Sequence, residues 1–406
     1  MFFRRSMQVQ WSQTGRVKGL LRATIERPAT GIRSITLKVD GRAFPVDLSA
    51  LAAGEPRVPV NIHTHLIADG PATLQLELKA DDGKYASATE TVSVGNPGPL
   101  AARVRDSLRK KAVPLAYAGP CDSGRYDYAD PALRPWFDRE DANEHVQALL
   151  DAGRISADEA AQLRAFVRDG FLVLPDGIEE TLVDRALAAM QDAVDTGYQG
   201  YRWGESTRLE HLHEKYPAMR ELWLHPRVHR MLELIFDEPS QPCQSLGYVF
   251  GSQQDAHQDT IHLTPFPAGY MCGVWIALED VQPGSGELMV YPGSHRLPRV
   301  YMQGSGCEKV TGKDWQPFGQ TVVQCWAELL RESAIAPMPY IARKGSVLVW
   351  HENLMHAGSV RRDASISRRS LVCHNFARGS VVYYDSSGAV GATFDRSGPT
   401  DAARSA

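Results

Sequence analysis

The ten residues AHQDTIHLTP, positions 256–265, set His257, Asp259 and His262 within one short segment. Two imidazoles and a carboxylate are donors that suit a divalent first-row metal. Residues two apart on an extended segment point the same way, so His257 and Asp259 can bind one ion from one side. A third ligand must come from elsewhere, and the best candidate is His356 in GSVLVWHENLMHAGS, again at a strand that runs into a loop. Two histidines and one carboxylate on one face of an octahedral ion leave three positions open, and that donor set suits Fe(II). No cysteine falls in the segment, which argues against a structural zinc site. The H-x-D pair is weak by itself in a chain with 13 histidines. His262 reads as a satisfied polar histidine more than as a ligand, and His351 as a residue that lines the site.

Elements must position these side chains. Over residues 1–95 the chain alternates in short runs such as IRSITLKVDGR, PVNIHTHLI and ATLQLELKADDGKY. Asp40-Gly41, Asp69-Gly70 and Asp82-Gly83 are hairpin-turn signals between them. The expectation is a small immunoglobulin-like β-sandwich, with His63 and His65 at exposed polar strand positions. Asn96-Pro97-Gly98-Pro99 breaks strand and helix, so 96–140 is expected as a linker or strap. Amphipathic helices then fill much of 140–236, one of them opened by Ser156 and Glu159 in a capping box and closed by Gly170. After Pro242 the runs SLGYVFGS, GYMCGVWIALED, GELMVYPGS, GSVLVWH and RRSLVCHNFA are strands. Helices followed by strands give an α+β, mainly β domain over 141–385 with a jelly-roll barrel. Residues 300–340 show no strong period and read as a lid loop or insertion, and 386–406 as a flexible tail.

Composition excludes several classes. The chain is long enough for two or three domains. With 43% hydrophobic and 23% charged residues and a net charge of −4, no basic block calls for nucleic acid or an anionic membrane. No run is long and apolar enough for a membrane span. Six dispersed cysteines without a CxxC pair read as reduced thiols, and the start lacks the apolar core of a signal peptide, so a cytoplasmic protein is expected.

The pieces FVRDGFLVLP, SQQDAHQDTIH, WIALEDVQPGSGELMVYPGSH, GSVLVWHENLMHAGS and SRRSLVCHNFA occur in this order between 156 and 376. Together they resemble the phytanoyl-CoA dioxygenase family of Fe(II)/2-oxoglutarate-dependent oxygenases. The resemblance covers a little over half of the chain and leaves the first hundred residues outside. It implies a double-stranded β-helix (cupin-like) catalytic domain that uses Fe(II), 2-oxoglutarate and O2 to oxidise an unactivated C–H bond. By motif position it makes His257, Asp259 and His356 the iron ligands and Arg368 the grip on the distal carboxylate of 2-oxoglutarate. It places Trp275 in the cosubstrate pocket. An arginine suits a buried carboxylate because it is permanently charged and bidentate. Arg369 is the rival, but neighbours on a strand face opposite sides. Halogenating relatives lack the carboxylate ligand, so Asp259 favours hydroxylation. Epimerisation, desaturation and cyclisation are alternatives at the same iron. A binding or scaffold protein with a glycan- or partner-recognising first module is a further one. The expected partner is a small molecule, such as a glycan, lipid or secondary-metabolite intermediate, and a homo-oligomer is left open.

Overall fold

The structure, a computed structural model, describes residues 5–396. The chain divides into two compact units. One runs to Leu133 and takes in Lys309–Thr311 and Arg378–Gly391; the other comprises Arg134–Glu308, Gly312–Ala377 and the residues from Ala392.

The first unit is built from two sheets around one core. One has Tyr85–Val94, Gly70–Ala80, Ile32–Val39 and Arg42–Pro45 as antiparallel neighbours; the other orders Ala116–Ala118, Arg57–His63, Leu20–Glu26 and Val9–Trp11. Alternation decides which side is buried: Leu74, Leu76 and Leu78 point inward from one sheet, and Leu21, Ala23 and Ile25 from the other. Asp40 and Gly41 both adopt positive φ, 49° and 82°, as a two-residue hairpin demands. Asp82-Gly83 turns the hairpin between Gly70–Ala80 and Tyr85–Val94. Asp69-Gly70 is no hairpin turn. Gly70 opens a strand, and Asp69 accepts the backbone N–H of Asn96 at 2.9 Å.

Three expectations for this unit differ from what is found. His63 and His65 are fully buried, and His65 lies in a short 3-10 turn, Thr64–Leu66. The expected strap carries a helix, Pro99–Lys110, that buries Leu100, Ala101, Val104 and Leu108. Proline stops a helix only from within; in the first turn its missing N–H has no partner to lose. Residues 389–390, part of the expected tail, form a strand paired with Val381–Tyr384. The rest of that tail beyond 396 lies outside the described residues.

The second unit is mixed α/β. Helix Ala157–Asp169 begins with the expected capping box, Ser156 with Glu159, and ends at Gly170 in the left-handed conformation. It leads into the edge strand Phe171–Leu174. From that edge the sheet runs Val347–His351, Met271–Ala277, Ser370–Ala377, Ser240–Tyr248 and Leu209–Glu210. A three-stranded sheet orders Met338–Tyr340, Leu288–Val290 and His356–Gly358. Trp275, Leu348, Trp350 and Val372 from the large sheet pack with Leu288 and Val290 from the small one, as in a cupin-like jelly roll. Residues 300–340 hold an 18-residue helix, Gln316–Ser333. Its buried residues Phe318, Val322 and Trp326 fall four apart on one face. All six cysteines are free thiols, and among the described residues no helix is long and apolar enough to cross a membrane.

Candidate functional site

His257, Asp259 and His356 converge, each offering one ligand atom within 4.8 Å of the others. The local route differs from an extended H-x-D segment. The strand before it ends at Tyr248, and His257 keeps only an isolated bridge to His356. Two backbone hydrogen bonds form that bridge, at 3.0 and 3.1 Å. Asp259 opens a 3-10 turn, Asp259–Ile261. Its N–H and that of Thr260 both donate to the carbonyl of Glu352, at 3.0 and 3.2 Å. The segment 257–260 is thus stapled at both ends to 352–356, which sets the carboxylate beside both imidazoles.

Asp259 Oδ1 lies 3.8 Å from Nε2 of His257 and 3.8 Å from Nε2 of His356. The two imidazole centroids are 4.3 Å apart. Each imidazole turns Nδ1 to a backbone carbonyl, His257 to Asp255 at 2.8 Å and His356 to Leu354 at 3.0 Å. An Nδ1–H donated there leaves the Nε2 lone pair free, the tautomer a metal ligand needs. Burial first, and then the neighbouring His356, pushes the pKa of His257 down to about 4. Burial opposes ionisation of Asp259, but His356, His374 and His257 outweigh it and hold the carboxyl well below its ordinary range. At neutral pH the site therefore presents an anionic carboxylate and a neutral imidazole, ready for a dication.

Asp259 Oδ2 is held separately. Trp350 Nε1–H donates to it at 2.8 Å, and His374 Nε2 lies 3.6 Å away. Neither partner was expected from the sequence, although both signals are there. Trp350 shares its strand face with the inward Leu348. His374 stands at an even offset from Arg368, so alternation sends both inward. A Cβ on Gly273, the cross-strand partner of Trp350, would meet the indole at 2.1 Å, so only glycine leaves room for that side chain.

His351 is not part of the cluster. It is fully buried against Phe137 and Phe166, with Nε2 3.5 Å from Asp138. Asp138 and the buried Glu352 share Arg299, at 3.3 and 2.9 Å. The carbonyl that braces Asp259 thus belongs to a residue anchored by a charge network. His262 packs on Phe318 and Trp326 of the helix Gln316–Ser333, at 5.2 and 6.1 Å. Gln258 ties the same helix down, accepting from Trp326 Nε1 at 3.1 Å.

Arg368 is buried, and its neighbour is not placed alike. Arg369 pairs with Glu279 at 3.5 Å and with Gln191 at 2.8 Å. Arg368 reaches only Ser370 Oγ, at 3.5 Å, and its Nε has no partner. Its guanidinium carbon is 5.5 Å from the Trp275 ring centroid. Trp275 Nε1 and Tyr340 Oη are also buried without partners, and the two rings meet edge to face at 5.7 Å. Burial lowers the pKa of Arg368 to about 10, which leaves it cationic at neutral pH. A buried cation without a counter-charge is costly. Its own Nε–H and the Trp275 Nε1–H beside it are unpartnered donors that a ligand carboxylate would satisfy.

The donor chemistry therefore fits both groups: His257, Asp259 and His356 fit Fe(II), and Arg368 with Trp275 and Tyr340 fits the distal carboxylate of 2-oxoglutarate.

The profile of the phytanoyl-CoA dioxygenase (PhyH) family matches residues 166–370, and the chain belongs to this family of Fe(II)/2-oxoglutarate-dependent oxygenases. It is 26% identical over 183 residues to phytanoyl-CoA dioxygenase domain-containing protein 1 of Mus musculus, covering 42% of this chain and 57% of that protein. It is 25% identical over 172 residues to the peroxisomal phytanoyl-CoA dioxygenase of Bos taurus, covering 41% and 45%. The match thus spans about half of these relatives' length. Among solved structures, the carbocyclase SnoK from nogalamycin biosynthesis aligns with TM-score 0.44 at 19% identity, over 56% of this chain and 85% of that one. EctD from S. alaskensis with 2-oxoglutarate and 5-hydroxyectoine aligns with TM-score 0.40 at 20% identity, over 55% and 76%.

Proposed function

We propose that the chain is an Fe(II)/2-oxoglutarate-dependent dioxygenase that hydroxylates a C–H bond of a small-molecule substrate. His257, Asp259 and His356 would hold the iron, and Arg368 would hold the distal carboxylate of the cosubstrate beside Trp275 and Tyr340. Iron and 2-oxoglutarate supply the oxidising chemistry when bound, with succinate and CO2 released. The chain's own residues prepare the place. The Nδ1 contacts to Asp255 and Leu354 orient both imidazoles, and Trp350 and His374 hold the second oxygen of Asp259. Trp326, nearly fully buried, packs beside His257 and limits water on that side. The two-sheet unit is read as an immunoglobulin-like module joined to the oxygenase; its two largely antiparallel sheets around one core support this.

The observation that carries the reading is Arg368, buried and without an anion, in the same unit as the His257/Asp259/His356 cluster. The test is anaerobic titration of the protein with Fe(II) and then 2-oxoglutarate. The wild type should develop the weak visible charge-transfer band and, in air, form succinate. Asp259→Ala should do neither while keeping its far-UV circular dichroism. A wild type without band or succinate would sink the proposal.

A further inference from the structure

A second group of metal-ligating side chains lies outside this site, in the stretch LEHLHEK. His211, His213 and Glu214 bring three donor atoms within 4.8 Å of one another. His211 Nδ1 stands 3.6 Å from Glu214 Oε1. Ligands at about 2.0–2.1 Å around a tetrahedral ion lie roughly 3.3 Å apart, so little movement is needed to close on a metal.

We propose that His211, His213 and Glu214 form a second metal site, independent of the first, for a divalent transition ion of the zinc class. Ser245, fully buried on the strand Ser240–Tyr248, organises both histidines. Its carbonyl accepts the N–H of His211 at 3.1 Å, and its Oγ holds Nδ1 of His213 at 2.6 Å. His213 is further fixed by stacking on Trp223, with centroids 3.8 Å apart. With Nδ1–H donated to Ser245, Nε2 of His213 keeps its lone pair. Fixing one ring nitrogen so that the other can bind is how proteins orient imidazole ligands.

The nearby cations are otherwise engaged. Lys215 lies over the rings of Tyr198 and Tyr216 and 4.0 Å from Asp192, and Arg220 lies over Phe394. Neither takes Glu214. The carboxylate is more than half exposed, which allows it to swing onto an ion and leaves a fourth position to water. Two imidazoles and one carboxylate favour zinc-class ions over magnesium or calcium, which prefer oxygen donors alone. The ion would cross-link the 211–214 turn, which Ser245 already ties to the Ser240–Tyr248 strand.

Equilibrium dialysis of the full chain against Zn(II), read by metal analysis, tests this. Wild type should hold two equivalents. His356→Ala should keep one, and the double variant His211→Ala/His356→Ala should keep none. Glu214→Gln, at an exposed position, should lose the same equivalent without a change in circular dichroism, and in the His356→Ala background zinc should raise Tm only while His211 is present. The proposal is overturned if His356→Ala holds no zinc, or if His211→Ala/His356→Ala still holds one equivalent. Absence of the charge-transfer band with two zinc equivalents retained would count against the oxygenase reading alone.

Discussion

In the two-sheet unit His63 is fully buried with both ring nitrogens engaged, Nδ1 with the Pro114 carbonyl at 3.0 Å and Nε2 with the Tyr126 hydroxyl at 3.1 Å. In the other unit His257 and His356 tie down only Nδ1 and aim Nε2 at a carboxylate and at each other. The same contrast holds for cations. Arg22 in the two-sheet unit spends its guanidinium on Asn61 and the Gly388 carbonyl, whereas Arg368 keeps an unpartnered Nε in an apolar wall. Folding pairs its buried polar groups wherever it can. Groups left half-satisfied in a well-packed core mark the place where something else completes them.

The comparison predicts opposite responses to mutation. Arg368→Met should weaken 2-oxoglutarate binding by about thirty- to several-thousand-fold, the loss expected when one partner of a buried charge pair, roughly 2–5 kcal/mol, is removed. The unliganded protein should be no less stable, because an unpaired buried charge has been relieved. Isothermal titration and a thermal melt measure both. Unchanged binding with a lowered Tm would make Arg368 a structural residue like His63. Trp350→Phe removes the N–H from Asp259 Oδ2 and should cost Fe(II) affinity about 10- to 100-fold, with KM for 2-oxoglutarate at saturating iron unchanged. Equal affinity in the variant would show that the contact is mere packing.

The smallest effect tests the buried histidines of the two-sheet unit. Burial pushes His63 down to about 3 and His65 to about 4, against an ordinary value of about 6.5. Below that value the unfolded chain takes up protons that the folded unit refuses. Stability is therefore full above about pH 6.5 and falls as pH drops toward the folded values, by up to ~1.4 kcal/mol per pH unit for each histidine. Denaturant titrations of the two-sheet unit's signal across that window, on wild type and His63→Phe, should show a shallower slope in the variant. Identical slopes would mean that His63 is not held neutral.

The strands and the capping box were legible because alternation and Ser156 with Glu159 are local patterns. The cluster was legible because the H-x-D pair, weak alone, is joined by His356 in a recognisable segment. The helix at Gln316 was not, because Gly304-Ser305-Gly306 before it and Pro317 and Gly319 in its first turn read as loop signals. His63 was misread as exposed because alternation shows that a residue faces one side of a sheet, not whether that side is covered. Trp350 and His374 were passed over because an aromatic on a barrel strand is most often core.

By itself, then, the sequence determined most of the order of elements, the residue types of the candidate cluster and the candidate arginine. All three depend on side-chain chemistry and on periods of two or 3.6 residues. Only the tertiary structure decided that His257 reaches His356 through a backbone bridge and that Arg368 turns inward while Arg369 pairs with Glu279. It alone revealed that the oxygens of Asp259 have separate partners. Those outcomes depend on which distant segments share a wall of the barrel, and strand register settles that.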